Sequence, residues 1–143
     1  MRTISRVGIV ASGPDHRHEL QAGGHALVAD EPASAGGGDA GPAPYDLVLS
    51  GLAACTAITL RMYAQRTGWD LGGFRAELTL LKDADGAVRI ERVLHAGGAL
   101  DDARWDRLLD VVQRTPVTLT LRQGARIVSR RADRIDHWTG DTA

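Results

Sequence analysis

Apolar and polar positions divide this chain into short alternating runs and one long apolar stretch. Residues 4–11 alternate weakly, are β-rich and run into the turn signal Gly13-Pro14-Asp15, so they predict a strand. Runs at 18–21 and 25–29, separated by Gly23-Gly24, predict a hairpin with a glycine-permitted turn. Residues 30–44 carry almost no large apolar side chain and predict a long loop with the glycine content of a mobile segment. Residues 47–60 are apolar or small nearly all round, with Ser50, Thr56 and Thr59 the only polar side chains, which predicts a helix buried on several faces. Pro44 suits its start, Asp46 the positive end of its dipole and Gly68 its end, giving a helix over 45–67. The unbroken apolar run is about 14 residues and Arg61 and Arg66 follow it, whereas a membrane span needs about 20. The expectation is a core helix.

Beyond it, Phe74, Ala76, Leu78 and Leu80 alternate with Arg75, Glu77 and Thr79, the period of a half-buried strand. Asp85-Gly86 turns the chain, and 89–96 returns as the antiparallel partner, with Ile90 between Arg89 and Glu91. Asp101 and Asp102 open an amphipathic helix carrying Trp105, Leu108, Leu109 and Val112. Thr115-Pro116 starts a short helical segment to about Leu121, residues 125–129 read as a last strand, and the tail after Arg130 as polar and loosely ordered. With no internal repeat and no linker, residues 1–143 are expected to form a single α+β domain.

Charge narrows the function. A net charge of −1 with a pI near 6.5 gives no global attraction for nucleic acid or an acidic membrane surface. The N-terminal residues lack an apolar stretch of signal-peptide length, and the single cysteine, Cys55, cannot close an internal disulfide. Both point to the reducing cytoplasm.

Cys55 sits mid-helix among Ala53, Ala54 and Ala57. Two readings are open: a small hydrophobe, or a reactive thiol, which would need a nearby cation or a helix N-terminus. His16, His18 and His25 are close in sequence but have no accompanying carboxylate spacing or second cysteine, so no metal is expected. The run Gly36–Gly38 lacks the strand-to-helix context and the Lys-Ser/Thr of a phosphate cradle, and no cofactor is expected.

The segment from Gly36 through Gly41-Pro42-Ala43-Pro44-Tyr45-Asp46-Leu47, leading into Leu52-Ala53-Ala54-Cys55-Thr56-Ala57, resembles the signature of the OsmC-like family. Residues 101–117 resemble its second motif, a helix ending in Cys-Pro-Val. The resemblance covers nearly the whole chain. It implies a swapped homodimer, with antiparallel sheets wrapped around two central helices. It also implies a thiol-dependent peroxidase related to the Ohr branch, in which the Cys55 thiolate attacks a peroxide bond. The chain departs from that pattern at two positions. Thr115 stands where the resolving cysteine belongs, and Tyr45 where the peroxidase branch places a glutamate, with Asp46 beside it as a substitute candidate. Arg17 is the candidate for the arginine that the family carries near the turn after the first strand. The resemblance therefore predicts a one-cysteine peroxidase reducing organic hydroperoxides or hydrogen peroxide with an external thiol. The rival is a non-catalytic module binding an apolar small molecule.

Overall fold

The computed structural model describes residues 1–132. They form two compact units: residues 1–47 together with the segment starting at Val128, and residues 48–127.

The first unit is an antiparallel meander of β1 (Val7–Ala11), β2 (His18–Ala22) and β3 (His25–Ala29). Gly23 and Gly24, both at positive φ (57° and 81°), make the tight turn expected between β2 and β3. That turn also explains why β1 starts at Val7 and not at residue 4. Val7 pairs with Ala22, the last residue of β2, so residues 4–6 meet no partner strand.

The glycine-rich segment that follows is a loop, as expected from its composition, and it is internally bonded. Asp30 is only 3% exposed, and its carboxylate accepts from the Glu31 N–H (2.8 Å) and, across the loop, from the Ala40 N–H (3.1 Å). Backbone bonds from Asp30 N to Pro42 O and from Asp39 N to Glu31 O close the same loop, which contains a 3-10 turn at Ala33–Ala35. Here glycine permits close approach: a methyl at Gly37 would strike the Glu31 carbonyl, and one at Gly41 the Val28 carbonyl. The Ala40 N–H holds the Asp30 carboxyl below its ordinary value against the opposing effect of burial, helped by the Glu31 and Gly38 N–H groups and by His16.

Helix α1 (Pro44–Thr67) begins in the first unit and supplies the core of the second. Its buried residues are Leu52, Thr56, Leu60 and Ala64, a stripe at every fourth position. The expectation of burial on several faces is therefore corrected for the single chain. One stripe is covered, while Ile58 and Met62 on another face are 59% and 62% exposed. By length and composition alone α1 could cross a membrane, with a mean hydropathy of 1.5, a test that core helices also pass. Its packing is that of a core helix: Leu60 and Ala64 cluster with Leu71, Leu108 and Val112, flanked by Tyr63, Trp69, Phe74, Leu94 and Trp105.

The hairpin of β4 (Phe74–Lys82) and β5 (Val88–Ala96) follows the predicted alternation, and its turn is held by the Asp83 carboxylate accepting from the Asp85 and Ala87 N–H groups. Helix α2 (Asp102–Val112) starts at Asp101, whose side chain accepts from the Arg104 N–H at 2.8 Å. Helix α3 (Pro116–Gln123) has Pro116 in its first turn. The strand expected at 125–129 does not form: these residues pair with no strand among those described, and Ile127 is 87% exposed. A short apolar run takes up strand structure only where a ladder partner satisfies its backbone. The tail, from residue 133 on, lies outside the described residues.

Candidate functional site

Cys55 is half-buried on α1. The next residue, Thr56, is fully buried; its hydroxyl donates to the Leu52 carbonyl (2.7 Å) and accepts from the guanidinium of Arg92 (2.9 Å). That bond links the helix turn carrying the thiol to β5.

The cross-strand register puts Arg92 on the core-facing side of the hairpin. It lies opposite Leu78, with Ile90 and Leu94 two residues away on the same face. There the guanidinium finds neutral acceptors. Besides Thr56 it donates to Thr118 Oγ1 (3.1 Å) and to the Val112 carbonyl (2.8 Å), so one side chain ties together α1, β5, α2 and α3. The hydroxyl protons are all used. Thr118 donates to Val112 O (3.1 Å), which leaves Thr115 to donate to Thr118 across 2.6 Å. Thr115, the N-cap of α3, is buried and makes no side-chain bond to that helix's N–H groups; its hydroxyl serves the arginine cluster.

Among the described residues no carboxylate forms an ion pair with Arg92. Glu91 is engaged by Arg89, Glu77 by Arg75 and His95, and Asp110 by Arg107 and Arg114. A second cation stands nearby: Arg122 on α3, which reaches the Gln113 side chain. Burial, followed by the field of Arg122, holds the Arg92 guanidinium below its ordinary value, while Cys55 acts in the opposite sense. On another face of α1, Ala57, Ile58, Arg61, Met62, Leu71 and Phe74 line an open apolar hollow of about 350 Å³.

The residues nominated from sequence divide between the units. Cys55 and Thr115 belong to 48–127, where Arg92 bonds both to Thr56, beside the thiol, and to Thr118, the partner of Thr115. Arg17, Tyr45 and Asp46 belong to 1–47. There Arg17 donates to the Ser12 carbonyl and hydroxyl and pairs with Glu19 at 3.7 Å, Asp46 accepts from the Ala43 N–H at the start of α1, and Tyr45 is exposed. His18 Nδ1 bonds the His16 carbonyl, and among the described residues no three His, Cys, Asp or Glu side chains gather as metal ligands would. Sequence reasoning missed Arg92, although a signal was present: in the alternation Ile90, Arg92, Leu94 an arginine occupies an apolar position.

This fold and this cysteine-bearing helix define a family. The chain belongs to the OsmC-like proteins, whose profile matches residues 36–130. Solved structures share the fold. An osmotic stress induced and detoxification response protein from Psychrobacter arcticus 273-4 superposes with a TM-score of 0.70 at 22% identity, over 84% of this chain and 88% of that one. An OsmC-like protein from Mycoplasma pneumoniae gives 0.67 at 20% identity, over 85% and 89%. An organic hydroperoxide resistance protein OsmC from Legionella pneumophila gives 0.61 at 17% identity, over 84% and 90%. No curated protein matches the sequence. The α+β class expected from the pattern is the observed one.

Proposed function

We propose that this protein is a cytoplasmic one-cysteine peroxidase that reduces organic hydroperoxides at Cys55 with electrons from an external low-molecular-weight thiol. The observation that supports this most directly is the half-buried Cys55 one residue along α1 from Thr56, the acceptor of the Arg92 guanidinium, on a fold shared with an organic hydroperoxide resistance protein. The thiolate attacks the O–O bond of the hydroperoxide; an S–O bond forms, the O–O bond breaks, and the alkoxide leaves and takes up a proton as the alcohol. The sulfenic acid condenses with one external thiol, releasing water, and a second thiol displaces the mixed disulfide to regenerate Cys55. Each turnover thus converts one hydroperoxide and two thiols into an alcohol, a disulfide and water. Thr115 cannot form the internal disulfide, so the external thiol is obligatory. Two chains associate through α1, whose exposed Ile58 and Met62 supply an apolar face for a second copy.

One equivalent of an organic hydroperoxide should therefore convert Cys55 to a sulfenic acid that persists, and excess should drive it to the sulfinic acid, both read by mass spectrometry. Cys55 surviving several equivalents as a free thiol would instead support the binding module, a reading favoured by the apolar hollow on α1.

A further inference from the structure

A guanidinium at a core-facing strand position is expensive to desolvate and usually pairs with a carboxylate. Arg92 does otherwise: three neutral oxygens hold it, Arg122 adds a second positive charge, and the carboxylates of its own unit that form ion pairs are engaged elsewhere. A fixed cation without an acid partner raises the local potential and favours an anion there. On the adjoining turn of α1 the group able to become that anion is the thiol of Cys55, one residue from Thr56, to which Arg92 is bonded.

We infer that Arg92, aimed by Thr56, Thr118 and the Val112 carbonyl, is the cation that favours the thiolate of Cys55. This rests on the reading of Cys55 as a reactive thiol, and it moves that role from the turn after β1 to β5. Arg92 acts through its field, so it is a positioning residue. Thr115, in the place of a resolving cysteine, serves the same cluster by donating to Thr118. The charged group bearing on Arg92 is Arg122 from α3; the threonine hydroxyls from α1 and α3 carry no charge.

The test is the alkylation rate of Cys55 by iodoacetamide in the folded protein as a function of pH, which needs no peroxidase activity. At pH 7 the Arg92→Met variant should react about tenfold more slowly than the parent. The gap should close toward about pH 10, where a thiol ionises without help. Arg92→Lys, which keeps the charge but not the fork, should recover most of the rate, and Arg114→Met, in the exposed turn after α2, should change nothing. Equal rates for Arg92→Met and the parent at pH 7 overturn the inference. If Arg92→Met does not fold, Thr118→Val decides: loss of one guanidinium anchor should slow the reaction at pH 7 but not at pH 10, and an unchanged rate overturns the inference equally. Hydroperoxide reactivity is scored separately. A Cys55 that alkylates in an Arg92-dependent way yet stays inert to hydroperoxide refutes the peroxidase and leaves the assignment of Arg92 standing.

Discussion

Leu60 and Ile58 are two residues apart on α1 and chemically alike, yet Leu60 is 0% exposed in the core cluster and Ile58 is 59% exposed. Truncating Leu60 to alanine removes fully buried methyl groups and leaves a cavity among Ala64, Leu71, Leu108 and Val112. That should destabilise the fold by about 3 kcal/mol, within the usual range of about 2–5. With a urea m-value of about 1.5 kcal/mol/M, the unfolding midpoint should fall by about 2 M, a large fraction of a domain's total stability. Ile58→Ala should cost under about 1 kcal/mol if that face stays in water. If a second copy covers it, the loss rises to about 1.5–3 kcal/mol per chain and depends on protein concentration. Urea unfolding followed by far-ultraviolet circular dichroism at two concentrations at least a hundredfold apart separates these cases. A midpoint shift below about 0.5 M for Leu60→Ala would refute the core assignment, and a concentration-independent Ile58→Ala would refute the interface.

Light scattering should accordingly report twice the 15.2 kDa chain mass, falling toward the monomer in Ile58→Asp. Folding lowers the Asp30 carboxyl below its ordinary 3.8, so the unfolded chain takes up that proton first; the stabilisation is whole above that range and drains away as pH falls through the lower, folded value. Acid titration of stability should therefore be shallower in Asp30→Asn than in the parent below about pH 5. Gly37→Ala, which drives a methyl into the Glu31 carbonyl, should speed amide exchange at Asp39 and Ala40 while leaving α1 unchanged, whereas Gly51→Ala, which meets open space, should leave the loop intact. In Thr115→Cys, hydroperoxide should yield a disulfide to Cys55 under non-reducing mass spectrometry if the two Cα atoms lie within about 7 Å.

Local pattern determined much of this protein. The alternation of Phe74 to Leu80, the Gly23-Gly24 turn, the Asp101 cap and the run from Leu47 to Leu60 each depend on neighbours in sequence, and each element formed where the period put it. The family was equally legible, because the segment around Cys55 is contiguous. Other features depended on partners distant in the chain. Residues 125–129 have strand composition but no ladder among the described residues, and the apolar run of α1 is covered on the one stripe where α2, the β4–β5 hairpin and Leu71 pack on it. The loop after β3 looks loose by composition, yet a carboxylate and two glycines fold it onto itself across ten residues, a distance that no local propensity spans. The candidate site shows the same division. Cys55 and Thr115 could be named from the chain, whereas for the cation the sequence offered only an arginine at an apolar position of the β5 alternation. Arg92 joins Thr56 across 36 positions and Thr118 across 26, and in sequence it is one arginine among many. Its role comes from turning inward on a strand whose other face is wet, a choice made by the hairpin register and the packing of three helices around it.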